Sequence, residues 1–208
     1  MSFAKLMAAL CALVAGMALN VSSASAAGWM VGGSELSGSE AVATTAAAME
    51  NAKGEASGVT VECAGATTNA VSPKLEAPNK ASASSIVFTG CESKTAGCKT
   101  AKTEIGTVPV TVEATLEGAT KVRAVGRPVT GKIFTTIKYE GAECALAGVK
   151  PVTGQVTATS SADEEVLESL VLILITEASG ELKEGSSSAY LHIHVLVRLA
   201  SGRAWNYL

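Results

Sequence analysis

Aspartate is nearly absent from this 208-residue chain, with Asp163 the only copy. Histidine is almost as scarce, present only as His192 and His194, and aromatic residues make up 4%. Each shortage closes off a chemistry. A calcium loop of the EF-hand type needs several Asp or Asn side chains at fixed steps, and the sequence has no such spacing. A Ser-His-Asp triad would have to bring Asp163, or a glutamate, to one of two histidines that sit on the same segment. The motifs G-x-S-x-G, G-x-x-x-x-G-K-[ST] and H-E-x-x-H are all missing. The 16 Lys and Arg are scattered and stacking aromatics are few, so no nucleic-acid surface is expected. No cofactor-binding motif is present either.

What the chain does have begins at its N-terminus. Met1 to Lys5 carries one cation, Leu6 to Leu19 is apolar and uncharged, and residues 22–27 are small. Ala24-x-Ala26 and Ser25-x-Ala27 both fit the small-x-small cleavage rule. Residues 1–27 therefore read as a secretory signal peptide, and residues 28–208 as one exported domain. The formal net charge of −3 becomes one unit more negative when Lys5 leaves. The most apolar run beyond the signal, Leu170 to Ile175, is about a third of the ~20 residues a spanning helix needs, so no transmembrane span is expected there.

Export governs the cysteines. Cys11 leaves with the signal, and Cys63, Cys91, Cys98 and Cys144 remain. An even number in an oxidising compartment predicts two disulfides. The absence of C-x-x-C argues against a zinc knuckle. Three pairings are possible. The local one, Cys91–Cys98 with Cys63–Cys144, is favoured on the premise that Cys63 and Cys91 each end a strand. The C-terminal ends of antiparallel neighbours lie far apart.

The remainder is punctuated by strand-like runs. Val108 to Leu116 alternates, with Val108, Val110, Val112, Ala114 and Leu116 on one face. Ile133 to Tyr139 places Ile133, Ile137 and Tyr139 together, and Val152 to Thr159 reads as one further run. The clearest alternation is Tyr190 to Leu199. Leu191, Ile193, Val195, Val197 and Leu199 face one way there, with His192, His194 and Arg198 opposite, which predicts a central or well-covered strand. Turn signals fall at Glu117-Gly118, Gly126-Arg127-Pro128, Glu140-Gly141, Ala147-Gly148, Ser179-Gly180, Glu184-Gly185 and Ser201-Gly202. Together these predict an all-β fold, a single antiparallel β-sandwich or barrel-like domain. Residues 42–52 could be helix or strand. Within 163–176, strand is favoured over helix for 169–176, with the acidic stretch from Asp163 a loop or turn.

The residues that could carry chemistry have bland readings beside the functional ones. His192 and His194, at i and i+2, could ligate a metal only with a third ligand; a solvent-facing polar row is the simpler reading. The 18 glutamates fall mostly in turns and on polar faces, so no carboxylate pair stands out for glycoside hydrolysis. Trp29 and Trp205 bracket the mature chain and read as anchors for the terminal strands rather than as a ligand platform.

Several segments resemble a group of secreted proteins of soil actinobacteria. They are Trp29-Met-Val-Gly-Gly, Gly58-Val-Thr-Val-Glu-Cys63, Ile86-Val-Phe-Thr-Gly-Cys91, Cys144-Ala-Leu-Ala-Gly with Val152-Thr-Gly-Gln-Val, and Leu199-Ala-Ser-Gly-Arg-Ala-Trp205. The resemblance implies an exported, disulfide-bonded, β-rich domain and transfers no activity and no catalytic residue. Three functions stay open. The leading one is a non-enzymatic structural, surface or adhesion module, secreted or held in the cell envelope or matrix. The alternative is an extracellular protein binding a small ligand or carbohydrate. The third is a secreted hydrolase using glutamates or the histidine pair. Sequencing of the secreted protein from its N-terminus should begin at Gly28; a chain that still starts at Met1 would overturn the signal-peptide reading.

Overall fold

A computed structural model describes residues 27–43, 47–48, 52–68, 73–83, 85–118, 121–161, 170–175 and 181–207. For residues 47–48, 68, 83, 160–161, 170–175 and 193–197 it describes the backbone only. Residues 1–26, and with them most of the expected signal peptide, lie outside this set, as do Asp163, Glu164 and Glu165. The described residues form strands, bridges and turns, with no helix among them.

One large antiparallel sheet dominates and curls into a nearly closed, barrel-like form. Its strands run in the order Lys99–Thr100, Ile133–Glu140, Gly148–Gly154, Leu182–Glu184, Ser187–Val197, Leu170–Ile175, Val156–Ser161, Lys121–Pro128, Val110–Glu117, Lys80–Ala83, Lys74–Glu76 and Ser39–Ala41. Ser187–Val197 is the spine. One edge pairs with Leu182–Glu184 and Leu170–Ile175, the other with Ala52–Ala56 and Ala47–Ala48. The expected central strand is therefore found. Leu199 is buried and Leu191 packs against the core, whereas the facing of Ile193, His194, Val195 and Val197 lies outside the described side chains. Leu170–Ile175 is a strand, as favoured, and within 42–52 Val42 forms a bridge, while Ala47, Ala48 and Ala52 lie in strands.

Alternation explains most of the facing. On Val110–Glu117 the residues Val110 and Ala114 are buried while Thr111, Glu113, Thr115 and Glu117 are exposed. Ile133–Glu140 breaks its expected pattern. A bulge between Ile133 and Thr135 shifts the register, so Phe134 and Thr135 both turn inward and Ile133 is left 44% exposed. The run Val152 to Thr159 is two strands, not one. At Gly154 (φ +115°) the chain breaks pairing, and an added Cβ would lie 1.8 Å from the Glu181 carbonyl oxygen. Gly126-Arg127-Pro128 is not a turn but the end of strand Lys121–Pro128. Gly126 is there for close packing, since a Cβ would come within 2.9 Å of Val156 Cγ2.

The terminal strands meet. Trp29–Val31 pairs with Trp205–Tyr207, setting Trp29 opposite Tyr207 and Val31 opposite Trp205. The Trp29 ring lies edge-on to Trp205 and Tyr207, at 5.7 and 4.8 Å between centroids. Both polar tips are satisfied: Trp29 Nε1 donates to the Lys80 carbonyl at 2.7 Å, and the Tyr207 hydroxyl to that of Ala114 at 3.0 Å. The tryptophans are thus structural anchors, as their positions predicted.

The disulfides correct the sequence expectation. The bonds are Cys63–Cys91 and Cys98–Cys144, not Cys91–Cys98 and Cys63–Cys144. Cys63 does end Val59–Cys63, and Cys91 does follow the end of Ile86–Thr89, but these two strands do not pair with each other. Val59–Cys63 continues as Gly65–Thr68, and Ile86–Thr89 continues as Glu92–Ser93. The register is the same on both sides, with Thr89 opposite Gly65 and Glu92 opposite Glu62. Cys91 therefore stands opposite Cys63 in the middle of one antiparallel ribbon, Cα atoms 3.9 Å apart. The error was to take the two strands as direct neighbours; each pairs with the continuation of the other. Lys99 pairs with Glu140, which sets Cys98 next to the turn at Gly141, and that turn carries Cys144 back over it. Non-reducing peptide mapping should yield the Cys63–Cys91 and Cys98–Cys144 peptides. In the chain-entropy model each bond contributes roughly 3.5–4 kcal/mol. Reduction should therefore lower the melting temperature steeply; a Cys91–Cys98 peptide from native protein would refute this arrangement.

Candidate functional site

Inside the barrel-like sheet the inner faces are unequal in bulk. The sequence Ala52-Lys-Gly-Glu-Ala56 puts Ala52, Gly54 and Ala56 on one face by period 2, and Ala189 faces them across the pairing with Ser187–Val197. Opposite stand Phe88, Ile105, Phe134 and Leu182. The small residues leave a cavity of about 70 Å³ with an almost wholly apolar wall.

Two polar groups interrupt this interior. Tyr139 lines the cavity and is 1% exposed. Glu184 is 6% exposed and shares its strand face with Leu182, while Val152, its cross-strand partner, also lines the cavity. Neither the Tyr139 hydroxyl nor either Glu184 carboxylate oxygen has a hydrogen-bond partner. Such groups carry a desolvation cost that folded chains almost always offset with a partner. Burial, and secondarily the Glu184 charge, push Tyr139 up to about 12. The other polar groups at the wall are occupied: Thr135 Oγ1 donates to the Gly106 carbonyl at 2.7 Å, and the Tyr190 hydroxyl to Glu55 Oε2 at 2.8 Å.

A second concavity, open and about 430 Å³, lies at the rim between Arg127, Lys132, Gln155, Glu181 and Lys183. Its polar groups are largely paired among themselves. Arg127 Nε donates to Gln155 Oε1 at 2.8 Å, Gln155 Nε2 to Glu181 Oε1 at 3.2 Å, and Arg123 Nη2 to the same oxygen at 3.3 Å.

The residues singled out in the sequence do not gather here. Cys63, Cys91, Cys98 and Cys144 are all spent in disulfides, and Cys63 lines the cavity. His192 is half-buried on the spine strand, and the His194 side chain lies outside the described residues. Among the described residues, no three His, Cys, Asp or Glu side chains form a group that could hold a metal ion. Sequence reasoning placed Tyr139 on an inner face correctly but read Glu184 only as part of a turn. The signal that could have found it is the alternation Leu182-Lys183-Glu184, which sets Glu184 inward with Leu182.

The unfolded tyrosine pKa is about 10, so below that pH both states keep the Tyr139 proton and nothing is lost. Between about 10 and 12 the unfolded chain releases it first, and stability falls as pH rises. A spectrophotometric titration of the folded protein should find one tyrosine ionising last, near 12; a Tyr139→Phe protein that keeps that late step would refute the assignment. Comparison with known proteins gives no family to which the chain belongs: no family model, curated protein or solved structure matches it.

Proposed function

We propose that the mature chain is an exported, non-enzymatic module that works at the cell surface or in the extracellular matrix. The observation that carries this reading is the outer face of strands Val110–Glu117 and Lys121–Pro128. Thr111, Glu113, Thr115 and Glu117 stand exposed opposite Arg127, Val125, Arg123 and Lys121. Its charges pair with each other: Arg127 with Glu113 at 3.5 Å, and Lys121 and Arg123 with Glu117 at 3.4 and 3.7 Å. Each exposed pair is worth little to stability, at most about 1 kcal/mol. Their effect is to make a self-neutralised face of hydroxyls and mixed charge around the buried Val125. Such a face suits contact with a hydrated polymer better than with a lipid or a polyanion.

The two disulfides support an oxidising compartment. Among the described residues, no helix is long and apolar enough to cross a membrane. The resemblance to secreted β-rich proteins of soil actinobacteria agrees with export and adds no activity. A second reading, a binding protein for a small extracellular ligand, is favoured by the cavity that Tyr139 lines and by the unpartnered Glu184, which shares the strand face of Leu182 in the cavity wall. The first test is location. Tagged protein in the producing cell should be recovered from medium or envelope with no thiol open to alkylation. Recovery from cytosol with four alkylatable mature cysteines would sink both readings.

A further inference from the structure

We propose that the interior cavity is a binding site for a small primary amine, whose ammonium group pairs with Glu184 and donates to Tyr139 while its alkyl part fills the apolar wall. This rests on the ligand-binding reading above and names its ligand class. Three observations converge on it. The Glu184 carboxylate is buried with both oxygens unpartnered, and the Tyr139 hydroxyl is buried and unpartnered as well. Glu184 lies just behind the wall and not on it: Leu182 shares its strand face and Val152 lies opposite it, and both line the cavity together with Tyr139, at which the Glu184 charge is felt. The space itself is built by small residues, Ala52, Gly54, Ala56 and Ala189, on a wall where larger ones would close it.

Charge selects the class. An unpaired buried carboxylate costs far more than an unpaired hydroxyl, so a ligand bringing positive charge and N–H donors recovers the most. An ammonium group carries three N–H donors, enough to serve both the Glu184 carboxylate and the Tyr139 oxygen, which do not bond to each other. A carboxylate or phosphate ligand would meet Glu184 with like charge. A divalent cation would need further ligands, and the described residues supply no group of three. The aromatic rings of Phe88, Phe134 and Tyr139 in the wall also favour a cation over an anion. Size sets the length. At about 10–15 Å³ for each water-sized sphere, the cavity of about 70 Å³ takes an amine of roughly five to seven non-hydrogen atoms.

The test uses the oxidised, secreted protein and three probes of matched size: n-butylammonium, n-butanol and butyrate. Binding is read by chemical-shift titration and by the melting temperature. Butylammonium should bind saturably and raise the melting temperature, butanol should bind at least about tenfold more weakly, and butyrate should leave the protein unchanged. Glu184→Gln should abolish the preference for butylammonium over butanol without lowering the protein's own melting temperature, because it removes an uncompensated charge. Ala189→Leu should block both butylammonium and butanol by filling the cavity; Ala56→Val serves the same end if that variant does not fold. Butanol binding as tightly as butylammonium, with no effect of Glu184→Gln, overturns the amine assignment and leaves a small-ligand cavity. Binding of none of the probes overturns the assignment and the ligand-binding reading together. A melting temperature that falls sharply in Glu184→Gln also overturns it, since Glu184 would then hold a structural partner.

Discussion

The bond between Cys63 and Cys91 lies at the point where one antiparallel ribbon changes sheets. On one side the ribbon belongs to the large sheet, through Val59–Cys63 and Glu92–Ser93. On the other it forms a three-stranded sheet from Gly65–Thr68, Ile86–Thr89 and Ile105–Gly106. A bend of this kind interrupts ladder hydrogen bonds at the corner, where cross-strand pairing is weakest. A covalent link between directly opposed residues holds the register through the bend without them. Cys98–Cys144 does the same for the neighbouring turns, and both bonds are buried in one cluster with Val59, Val61, Phe88, Ile105 and Tyr139. The position of Tyr139, and so the shape of the interior, follows from this stapled end.

Away from the staples, apolar burial closes the structure. The cluster around Phe134, Val152, Val156 and Leu182 shares Ile86, Ile137 and Leu191 with the disulfide cluster, so the two make one continuous interior. A third cluster, around Trp29, Trp205, Tyr207, Val122 and Ala114, ties both chain ends to the far part of the large sheet. Burying an aromatic or large aliphatic side chain contributes about 1.5–3 kcal/mol, and the three terminal aromatics add edge-on ring contacts to that. With so few aromatics in the chain, concentrating three at the meeting of the termini is a strong local investment in holding the sheet shut.

What the sequence disclosed followed the period-2 pattern, and what it hid followed long-range pairing. Alternation exposed the all-β class, the facing of Val110–Glu117 and the central place of Ser187–Val197. It failed at the bulge after Ile133, because one inserted residue flips every later side chain and leaves no mark in composition. It failed at Gly154 and Gly126, which play different parts. One breaks a run that reads as continuous, and the other sits inside a strand because Val156 packs against its bare Cα. The cysteine pairing was hidden for the same reason. The strand ends at Cys63 and Gly90 were legible, but not that each strand pairs with the continuation of the other, and only that register shows Cys91 opposite Cys63. Glu184 was hidden by its neighbour Gly185, which marks the turn and drew the glutamate into it. The actual geometry extends the strand through Glu184 and turns the carboxylate inward with Leu182.

That inward carboxylate sets the energetic logic of the fold. A core that keeps a cavity and an unpartnered charge forgoes stability that Ala→Val or Glu→Gln changes would restore, on the order of a few kcal/mol. The two staples, each contributing a similar amount through the unfolded state, offset that loss without filling the interior. Stability and interior chemistry are thereby separated: covalent bonds at the stapled end hold the sheet closed, and the wall of small residues beside Glu184 is free of the need to pack. A chain relying on packing alone would be pressed to replace Ala56, Ala189 and Glu184 with larger apolar residues.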